Sequence, residues 1–167
     1  MMTRAFARKL PPHYEELARA SGLSLPGAVT LASLIERETA VPEERPLVSA
    51  VYHNRLRRGM LLQADPTTVY ALKRIGEWRG ALARSQLGVE EAYNTYVRPG
   101  LPPGPICNPG LASLQAAVLP AATDFLFFVA TGDGSHIFST TFDEHGRNVA
   151  RYRESRREKR DAGRSER

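Results

Sequence analysis

Eight of the thirteen residues from Arg98 to Gly110 are proline or glycine, and no other stretch so narrows what this chain can fold into. A proline locks φ and removes a backbone donor, while glycine weakens any regular element that contains it. Neither a helix nor a central strand can run through such a segment, so an extended, stiff loop is expected there. It splits the sequence into a helical stretch before it and a helix, hairpin and helix after it.

Before the loop, Ser24 followed by Pro26 reads as a helix start, and Pro42 closes the apolar periodic stretch from Ala28 to Thr39. A second helix is expected from near Pro46, through Val51 and Leu56, to Gly59. Asp65 and Pro66 form an N-cap and first-turn signal for a short third helix through Tyr70 and Leu72. After the loop, Asn108 and Pro109 can open a helix that ends before Pro120. Phe125 to Ala130 and His136 to Phe142 are aromatic and β-branched runs joined by Thr131-Gly-Asp-Gly-Ser135, a hairpin signal. Thr141 and Glu144 have capping-box spacing for a last helix through Tyr152. The class is α+β, mainly helical, with a C-terminal β-hairpin. At 167 residues one domain is expected, with residues 1–24 as an N-terminal lead-in helix and 153–167 as a charged, disordered tail.

The net charge of +5 does not mark a nucleic-acid binder, because it is not spread over the body. From Arg151 to Arg167 there are eight basic and four acidic residues, which leaves 15 basic against 14 acidic in the rest. So neutral a body offers no phosphate-binding face. The longest apolar run, Phe125 to Ala130, is far too short to span a bilayer. Cys107 is the only cysteine, and His13, His53, His136 and His145 share no ligand spacing, so neither a metal nor a cofactor is expected. Each of these histidines reads as a surface or core residue.

Carboxylate chemistry remains. On a helical wheel the first helix gathers Ala28, Leu31, Ala32, Leu34 and Ile35 into one apolar stripe, with Glu38 at roughly 280°, between Leu34 and Leu31, and Glu36 at the margin. A carboxylate on a core-facing stripe loses solvation and holds its proton to higher pH, as a general acid must. The same residues also read as a helix running out into water at Glu36-Arg37-Glu38. Thr39 lies in the stripe, its hydroxyl available to the same site. Asn54-Arg55 interrupts the apolar positions of the second helix, as either a site or a partly exposed face. Gln63, Asp65, Thr67 and Thr68 collect hydrogen-bonding groups around a helix start, although capping alone accounts for Asp65. Tyr93-Asn94-Thr95-Tyr96 alternates aromatic faces with polar groups, a pattern that suits sugar rings and loop packing equally.

Leu31-Ala-Ser-Leu-Ile-Glu-Arg-Glu-Thr39, Asn54-Arg-Leu, Gly59-Met-Leu-Leu-Gln-Ala-Asp-Pro-Thr67, Tyr93-Asn-Thr-Tyr96, Gly100-Leu-Pro-Pro-Gly104 and Asn108-Pro-Gly110 follow one another in order. Together they resemble the catalytic domain of the endolytic murein transglycosylases, the YceG-like family, over residues 25–152. The resemblance implies a lysozyme-like active-site helix and cleavage of peptidoglycan glycan strands between N-acetylmuramic acid and N-acetylglucosamine, leaving 1,6-anhydro ends. It maps the catalytic residue onto Glu38. It makes Glu36, Thr39, Asn54, Gln63, Asp65, Thr67, Tyr93, Asn94 and Tyr96 candidates for binding the glycan. Peptidoglycan synthases are the protein partners it implies, and the bacterial envelope the location. The family's membrane anchor and LysM-like domain are not recognised here, so the chain is expected to be a catalytic fragment or a truncated member. Two other readings stand beside it: a hydrolase pairing Glu38 with Glu36 or Asp65, and a noncatalytic glycan-binding module.

Overall fold

The computed structural model describes residues 10–165, in which six α-helices and one two-stranded antiparallel sheet form a mainly helical α+β fold. Helix α1 (Tyr14–Ala20) packs on the core through Tyr14 and Ala18. The start of the expected lead-in helix, residues 1–9, lies outside the described residues.

Helix α2 (Leu25–Glu38) is the central element. Ser24 caps it as the sequence predicts, its hydroxyl accepting from the Gly27 N–H at 3.1 Å. Its apolar stripe is buried against α5 (Leu111–Val118), its most extensive partner. Ala28, Ala32 and Ser33 on α2 and Ala116 and Ala117 on α5 are small, which fits close helix packing. Around this pair, α3 (Arg45–Arg57) supplies Val48 and Tyr52, and the segment before α4 (Asp65–Arg74) supplies Leu62 and Ala64.

The Pro/Gly segment contains no regular element and lies across α2. Ser33 anchors it: its Oγ accepts from the Ile106 N–H at 3.0 Å, and its carbonyl faces Cys107 Sγ at 3.4 Å. Helix α5 begins at Leu111, after the Asn108-Pro109 start expected from the sequence, because its cap comes from elsewhere. The Glu36 carboxylate on α2 accepts from the Gly110 N–H at 3.1 Å and from Ser113 Oγ at 2.6 Å.

Strands β1 (Phe127–Ala130) and β2 (His136–Ser139) pair antiparallel with Phe128 opposite Phe138, and Gly132 and Gly134 take the positive φ values that their tight connection requires. Both strands are shorter than the aromatic runs. Asn54 and Arg55 side chains from α3 take the carbonyls of Phe125 and Leu126, and Glu144 takes the N–H groups of Thr140 and Thr141, which ends each strand. Helix α6 (Phe142–Ser165) starts with the expected capping box, Thr141 Oγ1 accepting from the Glu144 N–H at 3.2 Å. It continues past Arg153 into the stretch that the sequence marks as a charged tail.

Candidate active site

Glu38 occupies the last turn of α2, at the point where the stripe leaves the core. Its carboxyl lines two cavities, of about 550 and about 410 Å³, and Asp65 lines both as well. An extended ligand lying through both would pass these two carboxyl groups. Arg37, Tyr70, Lys73, Ile106 and Cys107 contribute to the first cavity, so the Pro/Gly loop forms part of its wall. Arg55, Gln63, Tyr96, Phe128, His136 and His145 contribute to the second.

Burial pushes the Glu38 carboxyl up from 4.5 to about 7, against a hydrogen bond from Tyr52 that favours its ionised form; the Asp65 charge adds to the rise and Arg55 opposes it. Tyr52 Oη donates to Glu38 Oε1 at 2.9 Å. Burial, and then the Glu38 charge, keep the Tyr52 phenol protonated far beyond neutral pH, so it acts only as a donor here. One carboxyl oxygen is therefore held, and the group is half protonated near neutrality, the state in which a single residue can give a proton and later take one.

Asp65 does not cap α4. It is the first helical residue, after Ala64, and its Oδ1 accepts from Tyr96 Oη at 2.5 Å. Tyr96 is thereby drawn to the cavity wall, with its own ionisation disfavoured by burial and by Asp65. Gln63 joins them in a left-handed conformation (φ 50°), which a non-glycine residue adopts only when its surroundings enforce it. Its N–H donates to the Thr95 carbonyl at 3.1 Å.

The other candidates from the sequence are not brought to the cavities. Glu36 faces away from Glu38, onto α5, and the Ser113 hydroxyl is the main cause of its lowered pKa. Thr39 is buried and bonds Glu44 Oε2 at 3.0 Å. Asn54 spends both amide hydrogens on the carbonyls of Thr123 and Phe125, at 2.9 and 2.8 Å. Asn94, fully buried, does the same for Leu87 and Val89 and accepts from Thr68 Oγ1. Thr67 bonds Thr95 Oγ1 at 2.8 Å, and Tyr93 packs on Tyr70 with ring centroids 4.8 Å apart. These groups satisfy backbone that lies inside the fold without regular structure. The Asn54-Arg55 pair is buried, not a partly exposed face.

Sequence reasoning passed over Tyr52, read His136 as a surface or core residue and did not carry Arg55 into its set of candidates. Arg55 is 8% exposed and ties Leu126 to Leu62 through its guanidinium, with bonds of 2.7 and 2.8 Å to their carbonyls. Its appearance inside an apolar helix was the available signal. Among the described residues, no three His, Cys, Asp or Glu side chains gather as a metal site, and no helix is long and apolar enough to cross a membrane.

The YceG-like family is matched over residues 1–151. The endolytic murein transglycosylase of Bacillus subtilis is 37% identical over 146 residues, which are 87% of this chain and 40% of that protein. The endolytic murein transglycosylase of Streptococcus pneumoniae is 32% identical over 155 residues, 90% of this chain and 28% of that protein. The chain thus spans less than half the length of these relatives. A crystal structure of a YceG-like protein from Listeria monocytogenes superposes with a TM-score of 0.72 at 38% identity, covering 80% of this chain and 43% of that one. With the family matched across nearly its whole length, this chain belongs to the YceG-like family.

Proposed function

We propose that this protein is an endolytic peptidoglycan lytic transglycosylase, with Glu38 as its single acid and base. The observation that carries the proposal is a buried carboxyl brought to a pKa of about 7 where two cavities meet, in a chain whose relatives are named murein transglycosylases. Protonated Glu38 gives its proton to the glycosidic oxygen as the bond to C1 of N-acetylmuramic acid breaks through an oxocarbenium-like state. The C6 hydroxyl of that sugar then attacks C1, and Glu38, now a carboxylate, takes its proton. A 1,6-anhydro ring forms, no water is consumed, and the enzyme ends in its starting protonation state. Tyr52 holds one oxygen of Glu38, which leaves the other for the substrate. Two cavities flanking the carboxyl accommodate glycan on both sides of the broken bond, as cleavage within a strand requires. The bacterial envelope is the corresponding site of action, and partnership with peptidoglycan synthases follows from the family resemblance alone.

Asp65, beside Glu38 in both cavities, favours one rival: a two-carboxylate hydrolase with Asp65 as base or nucleophile. Mass spectrometry of digested peptidoglycan separates the two. The transglycosylase leaves muramic ends lighter by one water, and the hydrolase leaves free reducing ends. Glu38→Gln keeps the shape and removes the titrating proton, so cleavage should fall by about a hundredfold or more. Ordinary cleavage by that variant would refute Glu38 as the acid, and a noncatalytic module would bind glycan without cutting it in either form.

A further inference from the structure

His136 opens β2, and a single carboxylate holds it at two points. Its backbone N–H donates to Glu44 Oε1 at 2.8 Å, and its Nδ1 lies 2.7 Å from Glu44 Oε2. Thr39 Oγ1 donates to the same Oε2 at 3.0 Å. Burial works against the charge on Glu44, but the His136 side chain, the His136 backbone and Thr39 outweigh it, and the carboxyl is held below its ordinary value. An ionised carboxylate only accepts hydrogen bonds, so Nδ1 carries the hydrogen of this contact. Nε2 is the ring nitrogen left outside this contact, and the ring lines the same cavity of about 410 Å³ as Glu38. Anchoring the hairpin requires only the backbone bond. The second bond fixes the orientation of an imidazole at a polar cavity, as carboxylates do for functional histidines elsewhere.

We infer that His136 contacts the substrate, its Nε2 sharing a hydrogen bond with a sugar hydroxyl of the glycan bound beside Glu38. The inference rests on the reading of Glu38 as acid and base. The contact breaks no bond and moves no proton; it orients the sugar against the Glu38 carboxyl. Glu44 and Thr39 are positioning residues that act through the imidazole.

The test has two arms. In the first, the Glu38→Gln protein is titrated with a peptide-free tetrasaccharide from peptidoglycan while the imidazole nitrogen resonances are followed by NMR. The His136 Nε2 resonance is expected to shift as the glycan binds. In the second, His136→Asn keeps an amide N–H near the Nδ1 position for Glu44 and deletes Nε2. Its kcat/KM on glycan should drop by about tenfold or more, the scale of one lost hydrogen bond in the transition state, with the melting temperature little changed. His136→Gln, whose amide reaches the Nε2 position, should recover part of the loss. A resonance that saturating tetrasaccharide leaves unmoved, or ordinary kcat/KM in His136→Asn, overturns the inference. Should His136→Asn fail to fold, the NMR arm decides alone. Inactive Glu38→Gln with fully active His136→Asn refutes this contact only, whereas full activity in both refutes the reading of Glu38 as well.

Discussion

Glu38→Gln should make the protein more stable at alkaline pH, and the gain can be worked out from the carboxyl itself. Burial raises its pKa from 4.5 to about 7, so the folded state accommodates the protonated form better than the ionised one. The stability contributed by the proton is fully present below about pH 4.5 and is lost as pH rises through about 7. At about 1.36 kcal/mol per pH unit, the ionised group costs the fold about 3 kcal/mol above neutrality, an upper limit because solvent enters the cavities. Glutamine removes that cost and keeps an oxygen to accept from Tyr52. For a chain of this size about 1 kcal/mol moves the melting temperature by about 2–4 °C, so the variant should melt roughly 6–12 °C above the parent. Calorimetry of both proteins near about pH 8.5 and about pH 5 measures it, since the difference should shrink toward zero at the acid end. An equal difference at both pH values, or none at the alkaline one, would show that Glu38 is not ionised within a desolvated site.

Tyr52→Phe removes the donor that favours the Glu38 carboxylate, so the alkaline limb of the kcat/KM profile should move up by about one to two pH units, from about 1.5–3 kcal/mol for a hydrogen bond to a charged group. A limb that stays in place would mean that Tyr52 does not set the acidity of Glu38. Glu36→Ala strips the cap from α5 and should lower stability by about 1–3 kcal/mol in denaturant titrations, while the folded fraction cleaves glycan normally. A selective loss of turnover there would revive Glu36 as a partner catalyst. Pro103 and Pro105 are exposed, so replacing both by glycine loosens the loop without opening a gap in the core, and costs about 1–2 kcal/mol through the unfolded chain. If Ile106 and Cys107 form a wall of the glycan groove, steady-state turnover should fall more than the melting curve does; normal turnover with earlier melting would make the loop scaffold only.

What the sequence revealed and what it hid divide by range. The Ser24 cap, the stripe of α2 and the capping box at Glu144 each depend on residues within a turn or two of one another, so propensity and periodicity expose them. Glu38 was legible for the same reason: the stripe that buries Leu34 and Ile35 also carries it. Tyr52 was not, because an aromatic residue on an apolar helix face reads as core, and its partner lies 14 residues away on another helix. Glu44 and His136 are 92 residues apart, and neither carries a local mark of the other. Two of the polar residues that are not brought to the cavities share one cause. The chain from Gly76 to Gly110 is nearly free of regular structure yet partly enclosed, so its carbonyls need side-chain donors and its N–H groups acceptors, and Asn94 as donor and Thr67 as acceptor are used up there. Long irregular stretches in a small domain are therefore a warning that their amides and hydroxyls are structural.

Two carboxylates two residues apart end with opposite acidities because α2 turns them to different neighbours. Glu36 meets the N–H and hydroxyl at the start of α5, where donors and the helix dipole favour charge, and it stays ionised as a clamp. Glu38 meets apolar surface, one phenol and the Asp65 charge, and it holds its proton toward neutrality. The same helix fixes the rest of the site: Ser33 secures the loop that supplies Ile106 and Cys107, and Thr39, just past its end, secures Glu44 and through it His136. Both cavity walls are thus referred to one buried rod, and the tight packing of α2 on α5 is what lets a single acidic group be held at a fixed place between them. The cost of burying Glu38 falls on an element able to bear it, because the apolar stripe that desolvates the carboxyl is also part of the fold's main core.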